Sequence, residues 1–201
     1  WDSTTRECGA SVPLPVATLD GEELAGSFTY SSNNSLVAPV TGSNVTIDGV
    51  GTAELTATFP PNDIANYESG VTKQMTLTVI PRAIRITADD ITVTENSPSF
   101  TPGFTTSRPG GTALVSGDSI SSLSYTYEGS GSTKPVTAGT YSITPSNAQF
   151  SLGDQALYDI TYVAGTLTID QDPRTAQQIT FDSLADRTLN DPDFTLTATT
   201  S

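Results

Sequence analysis

The chain has 201 residues, among them 22 Asp or Glu against eight Lys or Arg, for a formal net charge of −14, with no histidine and one cysteine, Cys8. No basic stripe is available to neutralise phosphates, which excludes nucleic acid as a partner. The missing histidine removes the commonest general base and the commonest metal ligand together, and no apolar run approaches the roughly 20 residues of a membrane-spanning helix. Cys8 has no second cysteine to pair with, and an apolar content of 35% with 7% aromatic suits small sandwich cores.

In chain order, a first window of period-two strands runs from about Val12 to Ile80. Thr52–Phe59 places Ala53, Leu55, Ala57 and Phe59 on one face and Glu54, Thr56 and Thr58 on the other, the pattern of a half-buried antiparallel strand; Met75, Leu77 and Val79 alternate in the same way. Gly49-Val50-Gly51 before the first run and Pro60-Pro61-Asn62-Asp63 after it supply turn chemistry. Helical periodicity is confined to one short stretch, Ile64–Tyr67.

A second window opens at Ala83-Ile84-Arg85-Ile86-Thr87 and closes at Thr166–Ile169. Its interior strands are expected to carry Leu123, Tyr125 and Tyr127, then Tyr141 and Ile143, then Tyr158, Ile160 and Tyr162. Thr101–Gly117, with Pro102, Gly103, Pro109, Gly110 and Gly111, reads as a loop with short edge pieces. Landmarks recur at close to 90 residues: Tyr67, Leu77-Thr78-Val79 and Pro81-Arg82 are echoed by Tyr158, Leu167-Thr168-Ile169 and Pro173-Arg174. The expected division is therefore 1–82, 83–172 and, from 173 to 201, the opening strands of a further repeat. The joins are short and contain proline, so the domains are expected to stack end to end with limited swing. Both ends read as lying within a longer protein, and the run from Asp193 to Thr199 as a strand without a partner.

Residues 83–169 resemble the MBG domain found in tandem in large bacterial surface proteins. The resemblance rests on Ile84–Asp90, on Ala138-Gly139-Thr140-Tyr141-Ser142-Ile143-Thr144-Pro145, and on Tyr158–Tyr162 followed by Gly165-Thr166-Leu167-Thr168-Ile169. The first window resembles a bacterial immunoglobulin-like repeat through Gly26–Tyr30 and Ala57–Tyr67, and the tail resembles the first half of another. Two departures stand out: Thr94-Glu95-Asn96-Ser97-Pro98 replaces the usual Tyr-Gly-Asp, and 101–117 does not match the family's run. The resemblance implies an all-β fold of tandem immunoglobulin-like and MBG β-sandwich domains. It also implies a stalk segment of a secreted or cell-surface bacterial adhesin, with neighbouring repeats as partners, a host or environmental glycan or protein as the further partner class, and no catalytic residues. The rival function is a glycan- or protein-binding module using loops of the second domain, and an enzyme is a distant third.

Acidic pairs are the leading site candidates: Asp170 with Asp172 at the second join, Asp89 with Asp90 near the first, and Asp191 with Asp193 in the tail. Ca²⁺ wants six to eight oxygens, and a junction carboxylate pair could bridge both sides, but none has the spacing of a Ca²⁺ loop and Asp is a good turn residue, so solvated turns are favoured. No other cofactor is expected. Ser3, Ser119 and Ser183 each follow an Asp in an Asp-Ser/Thr motif resembling bacterial O-glycosylation sites, and Asn33 and Asn44 fit the N-linked pattern. Gly129–Lys134 reads as a hairpin loop because Pro135 and a strand follow where a phosphate loop needs a helix. Lys73 and Lys134 are weighed as isopeptide donors, with ordinary exposed lysine favoured. Tyr125, Tyr127, Tyr158 and Tyr162 are read as core rather than as a sugar platform.

Overall fold

The computed structural model describes residues 1–15, 18–19, 22–23, 28–58, 70–96, 99–174, 178–181, 183, 186–189, 192–193 and 195–200. The turn expected at Ile64–Tyr67, and Phe59 of the first strand pattern, lie outside them.

The first unit comprises β1 (Thr4–Glu7), the two-residue partners β2 (Thr18–Leu19) and β3 (Glu22–Glu23), β4 (Thr29–Ser32), the short pair β5 (Val40–Thr41) and β6 (Asn44–Val45), β7 (Gly51–Thr58) and β8 (Thr72–Ile80). Its main sheet has the order β1-β8-β7-β4. β7 is antiparallel to both neighbours, whereas β1 lies parallel to β8, Thr4 opposite Leu77 and Glu7 opposite Ile80. Strict alternation decides what the sheet buries: Ala53, Leu55 and Ala57 of β7 and Met75, Leu77 and Val79 of β8 all turn inward. Ala53, Leu55, Met75, Leu77 and Val79 form one core with Cys8, Val12, Val37, Ala38 and Ile47. Full burial of a side chain such as Leu55 or Leu77 stabilises by about 1.5–3 kcal/mol.

The second unit is a two-layer sandwich. β9 (Arg82–Ala88), β10 (Ile91–Thr94), β11 (Phe104–Ser107), β12 (Ser119–Tyr127), β13 (Gly139–Leu152), β14 (Tyr158–Val163) and β15 (Gly165–Asp170) form sheets of order β11-β9-β14 and β10-β15-β13-β12, with a 3₁₀ turn at Gln155–Leu157. Between the layers lie Ile84, Ile86, Ala148 and Tyr158, and farther along the unit Ala88, Tyr127, Ile143, Leu167 and Ile169. The interior positions expected for Leu123, Tyr125, Tyr127, Tyr158, Ile160 and Tyr162 are those observed. Thr101–Gly117 contains only the short edge strand β11, as expected, and Gly129–Lys134 lies in the loop joining the antiparallel neighbours β12 and β13.

One pairing runs through both sheets. β9 lies parallel to β14, Arg82 opposite Tyr158; β10 lies parallel to β15, Thr94 opposite Asp170. The register is the same in both halves, and it is also that of the hydrogen bond from the Thr166 N–H to Oδ1 of Asp90 (2.7 Å), residues 76 apart. The two ladders are thus one, bent where it changes sheet, and the Asp90 carboxylate supplies an acceptor at the bend. Gly165 sits there too: a Cβ at this position would strike the backbone carbonyls of Ala88 and Asp89.

In the tail, β16 (Ile179–Phe181) pairs antiparallel with β17 (Ala198–Thr200). This corrects the expectation of an unpartnered strand from Asp193. The strand is shorter, and it finds its partner upstream.

Candidate functional site: the joint between the two units

Pro81 has no N–H with which to extend the β8 ladder, so the chain leaves the first sheet after Ile80. It resumes at once as β9, whose alternation points Arg82, Ile84, Ile86 and Ala88 inward. Arg82 is only 7% exposed. A guanidinium cannot shed its charge, so once buried it must find acceptors for its fork of donors. It donates from Nε to the Ala113 carbonyl (2.9 Å), from Nη2 to that of Thr112 (2.7 Å) and from Nη1 to that of Cys8 (3.2 Å). The acceptors come from both units, Cys8 from the end of β1 and Thr112-Ala113 from the loop after β11.

Three features close the joint around this side chain. Gly9 takes φ 78°, and a Cβ there would lie 2.8 Å from Val115 Cγ2 and 3.3 Å from Arg82 Nη1. Arg108 pairs with Glu7 at the margin, again across the two units. Leu157 packs against both cores.

The same loop is anchored from below by Tyr158, whose hydroxyl donates to Asp118 and accepts from the Val115 N–H (2.9 Å) while its ring stacks on Phe150. Burial first, and then the hydrogen bond to Asp118, push the Tyr158 hydroxyl up to about 12 from an ordinary 10. Burial also raises the Cys8 thiol, with the Asp118 charge adding to it. A folded-state value above the unfolded one means that the unfolded chain gives up this proton first as pH rises. Stability from Tyr158 is therefore complete below pH 10 and lost progressively between pH 10 and about 12. Thermal melts across that window are expected to fall more steeply for the parent than for Tyr158→Phe; equal slopes would remove Tyr158 from the account.

The sequence-level candidates are dispersed. Asp89 and Asp90 are not near the first join: β9 carries the chain from Arg82 to Ala88 before they occur, and Asp90 serves the ladder bend. Asp170 ends β15, with its carbonyl accepting from the Glu95 N–H (2.7 Å). The Asp172 carboxylate is taken by Arg174 at 2.6–2.9 Å and held well below the usual carboxylate range by that guanidinium. Among the described residues no three acidic or cysteine side chains converge as a metal cluster. Asp193 is exposed, and Asp191 lies outside the described residues.

Ser119 shares a hydrogen bond with Ser151 (2.7 Å), and its preceding Asp118 is committed to Tyr158. Ser3 accepts from the Thr76 N–H, and Ser183 is exposed. Asn33 accepts from the Glu54 N–H, and Asn44 lies in β6. Lys134 stands over the Phe100 ring and donates to the Phe100 carbonyl; Lys73 is exposed on β8. The residue that sequence reasoning missed is Arg82, left in the join with the strand opened one position later. Its signal was present: it falls in the inward phase of Ile84, Ile86 and Ala88.

The fold is all-β, with a sandwich of two sheets in its second unit. Residues 84–168 of that unit match the MBG domain (YGX type) family. Within the matched stretch the chain turns after β10 through Glu95-Asn96, and Asn96 takes φ 63°, which asparagine tolerates better than most residues. No curated protein matches in sequence. Among solved structures, the chain is similar to the human desmocollin-1 ectodomain (11% identity, TM-score 0.29, covering 88% of this chain and 41% of that one). It is also similar to the I9–I11 tandem of titin (14%, 0.26, 85% and 64%) and to protocadherin gammaB7 EC3–6 (17%, 0.23, 83% and 45%). The chain spans less than two thirds of each.

Proposed function

We propose that this chain is a structural spacer, a stalk segment of a secreted or cell-surface bacterial adhesin that holds a binding region away from the cell, with neighbouring repeats of the same polypeptide as its partners. The observation that carries this reading is the lengthwise path of the chain through the second unit. It comes in at Arg82, where that unit is tied to the first, and goes out at Asp170, the other end of the parallel ladder. A unit traversed in this way contributes its long dimension: Arg82 to Thr94, at roughly 3.3 Å a residue, spans up to about 40 Å. The match of 84–168 to a domain family of tandem surface repeats supports the same reading, and the strongly acidic composition suits a crowded exterior. The residues are read as non-catalytic, since the chain offers no histidine and its buried polar groups serve the joint.

Small-angle scattering on the chain tests the proposal. A maximum dimension near the combined lengths of the two units is expected; one close to a single unit's length, with the units side by side, would sink it. The second reading, a glycan- or protein-binding module using loops of the second unit, draws on an open groove of about 450 Å³ beside β11 and β12, lined by Asp89, Phe104, Leu123 and Tyr125 among others. Binding on a glycan array that is lost in Asp89→Asn would favour it.

A further inference from the structure

The strand that brings the chain into the second unit and the strand that takes it out are hydrogen-bonded to each other and point the same way. Tension applied along the chain pulls β9 and β10 toward their N-terminal end and β14 and β15 toward their C-terminal end. The two strands can separate only by sliding along each other, so every rung between Arg82–Tyr158 and Thr94–Asp170 is strained at once. Were they antiparallel, with the points of pull at one end, the rungs would open singly. We infer that the second unit is a shear clamp, a module whose ladder direction resists stretching of the polypeptide, rather than a passive filler of length.

Two details fit. At the bend, where a change of sheet would leave a gap among the rungs, Asp90 accepts from the Thr166 N–H and Gly165 lets the backbones approach. Beyond the last paired residues the contact continues, with the Glu95 N–H on the Asp170 carbonyl. The first unit has the same direction in miniature: β1 lies parallel to β8 over four residue pairs, followed by the Cys8 N–H on the Ile80 carbonyl (3.0 Å). The second unit has six pairs in one half of its ladder and four in the other. Tension is therefore met unequally, and the first unit is the one to yield first.

A clamp of this kind rests on the spacer reading only for the source of its tension. The scattering result can sink that reading without touching the mechanics, and the mechanics can fail while the chain remains an extended spacer.

Forced unfolding reads the barrier along the pulling direction rather than the equilibrium stability. The test is single-molecule stretching of the full chain with cysteine handles at exposed positions, in a Cys8→Ala background. Ala83→Cys with Asp170→Cys pulls along the ladder; Ala83→Cys with Gln155→Cys pulls the same protein open from one end. A rupture force several-fold higher for the first pair is expected, and Asp90→Ala is expected to lower it in that pair while leaving the second nearly unchanged. Equal forces in the two geometries would overturn the clamp. With handles at the chain ends, the shorter-ladder unit is expected to rupture first and at lower force; rupture of the second unit first would overturn the ranking.

Discussion

Gly165→Ala is expected to destabilise the second unit by roughly 3 kcal/mol or more, in the range of severe overpacking. The added methyl would meet the carbonyl oxygen and carbon of Ala88 and the carbonyl oxygen of Asp89, all backbone atoms of the ladder that Gly165 faces. A flexible side chain could step aside; a strand held on both sides cannot, because β9 is bound to β11 and β14. Denaturant unfolding would show a lower midpoint, and Gly111→Ala is the control, since a methyl there meets nothing within 4 Å. That control should stay within about 0.5 kcal/mol of the parent. If Gly165→Ala matched it, the bend would not be the tight crossing described.

Arg82→Ala is the second large effect, about 2–4 kcal/mol, because three carbonyls would lose a charged donor in a site with little water to replace it. Arg82→Lys keeps the charge but not the planar fork that reaches Cys8, Thr112 and Ala113 together, and should recover only part of the loss. Stability alone would not distinguish a joint from an ordinary core residue. The distinguishing readout is whether the two units tumble together. In NMR relaxation the parent is expected to give one rotational correlation time for the β1–β8 sheet and the sandwich, and Arg82→Ala two. A single correlation time in that variant, with both units still folded, would show that the joint does not depend on Arg82.

If the joint is rigid, the irregular segment 101–117 has a mechanical purpose. It is the segment whose Thr112 and Ala113 carbonyls hold Arg82, whose Arg108 pairs with Glu7, and whose Val115 rests beneath Gly9. Its tip, Pro109-Gly110-Gly111, remains exposed. The composition that marked this stretch as loop thus also marked where one unit grips the other, but the grip depends on Cys8, which lies 74 residues before Arg82.

Local order was written plainly in the residues. Alternation assigned Ala53, Leu55, Ala57, Met75, Leu77, Val79 and the tyrosines of β12 and β14 to the interior, because a strand's side chains must point to opposite faces whatever it pairs with. β13 runs through Pro145 to Leu152, with Pro145 buried inside it opposite Tyr125. Partners were a different matter. That β14 follows β9 in parallel, that Asp90 is an acceptor at a bend rather than a junction ligand, that β16 takes β17, and that Arg82 is buried among carbonyls from two units all rest on contacts between residues far apart in the chain. Periodicity is a property of one strand and survives in its own sequence; register and direction belong to pairs of strands, and only packing the whole chain into its layers decides them.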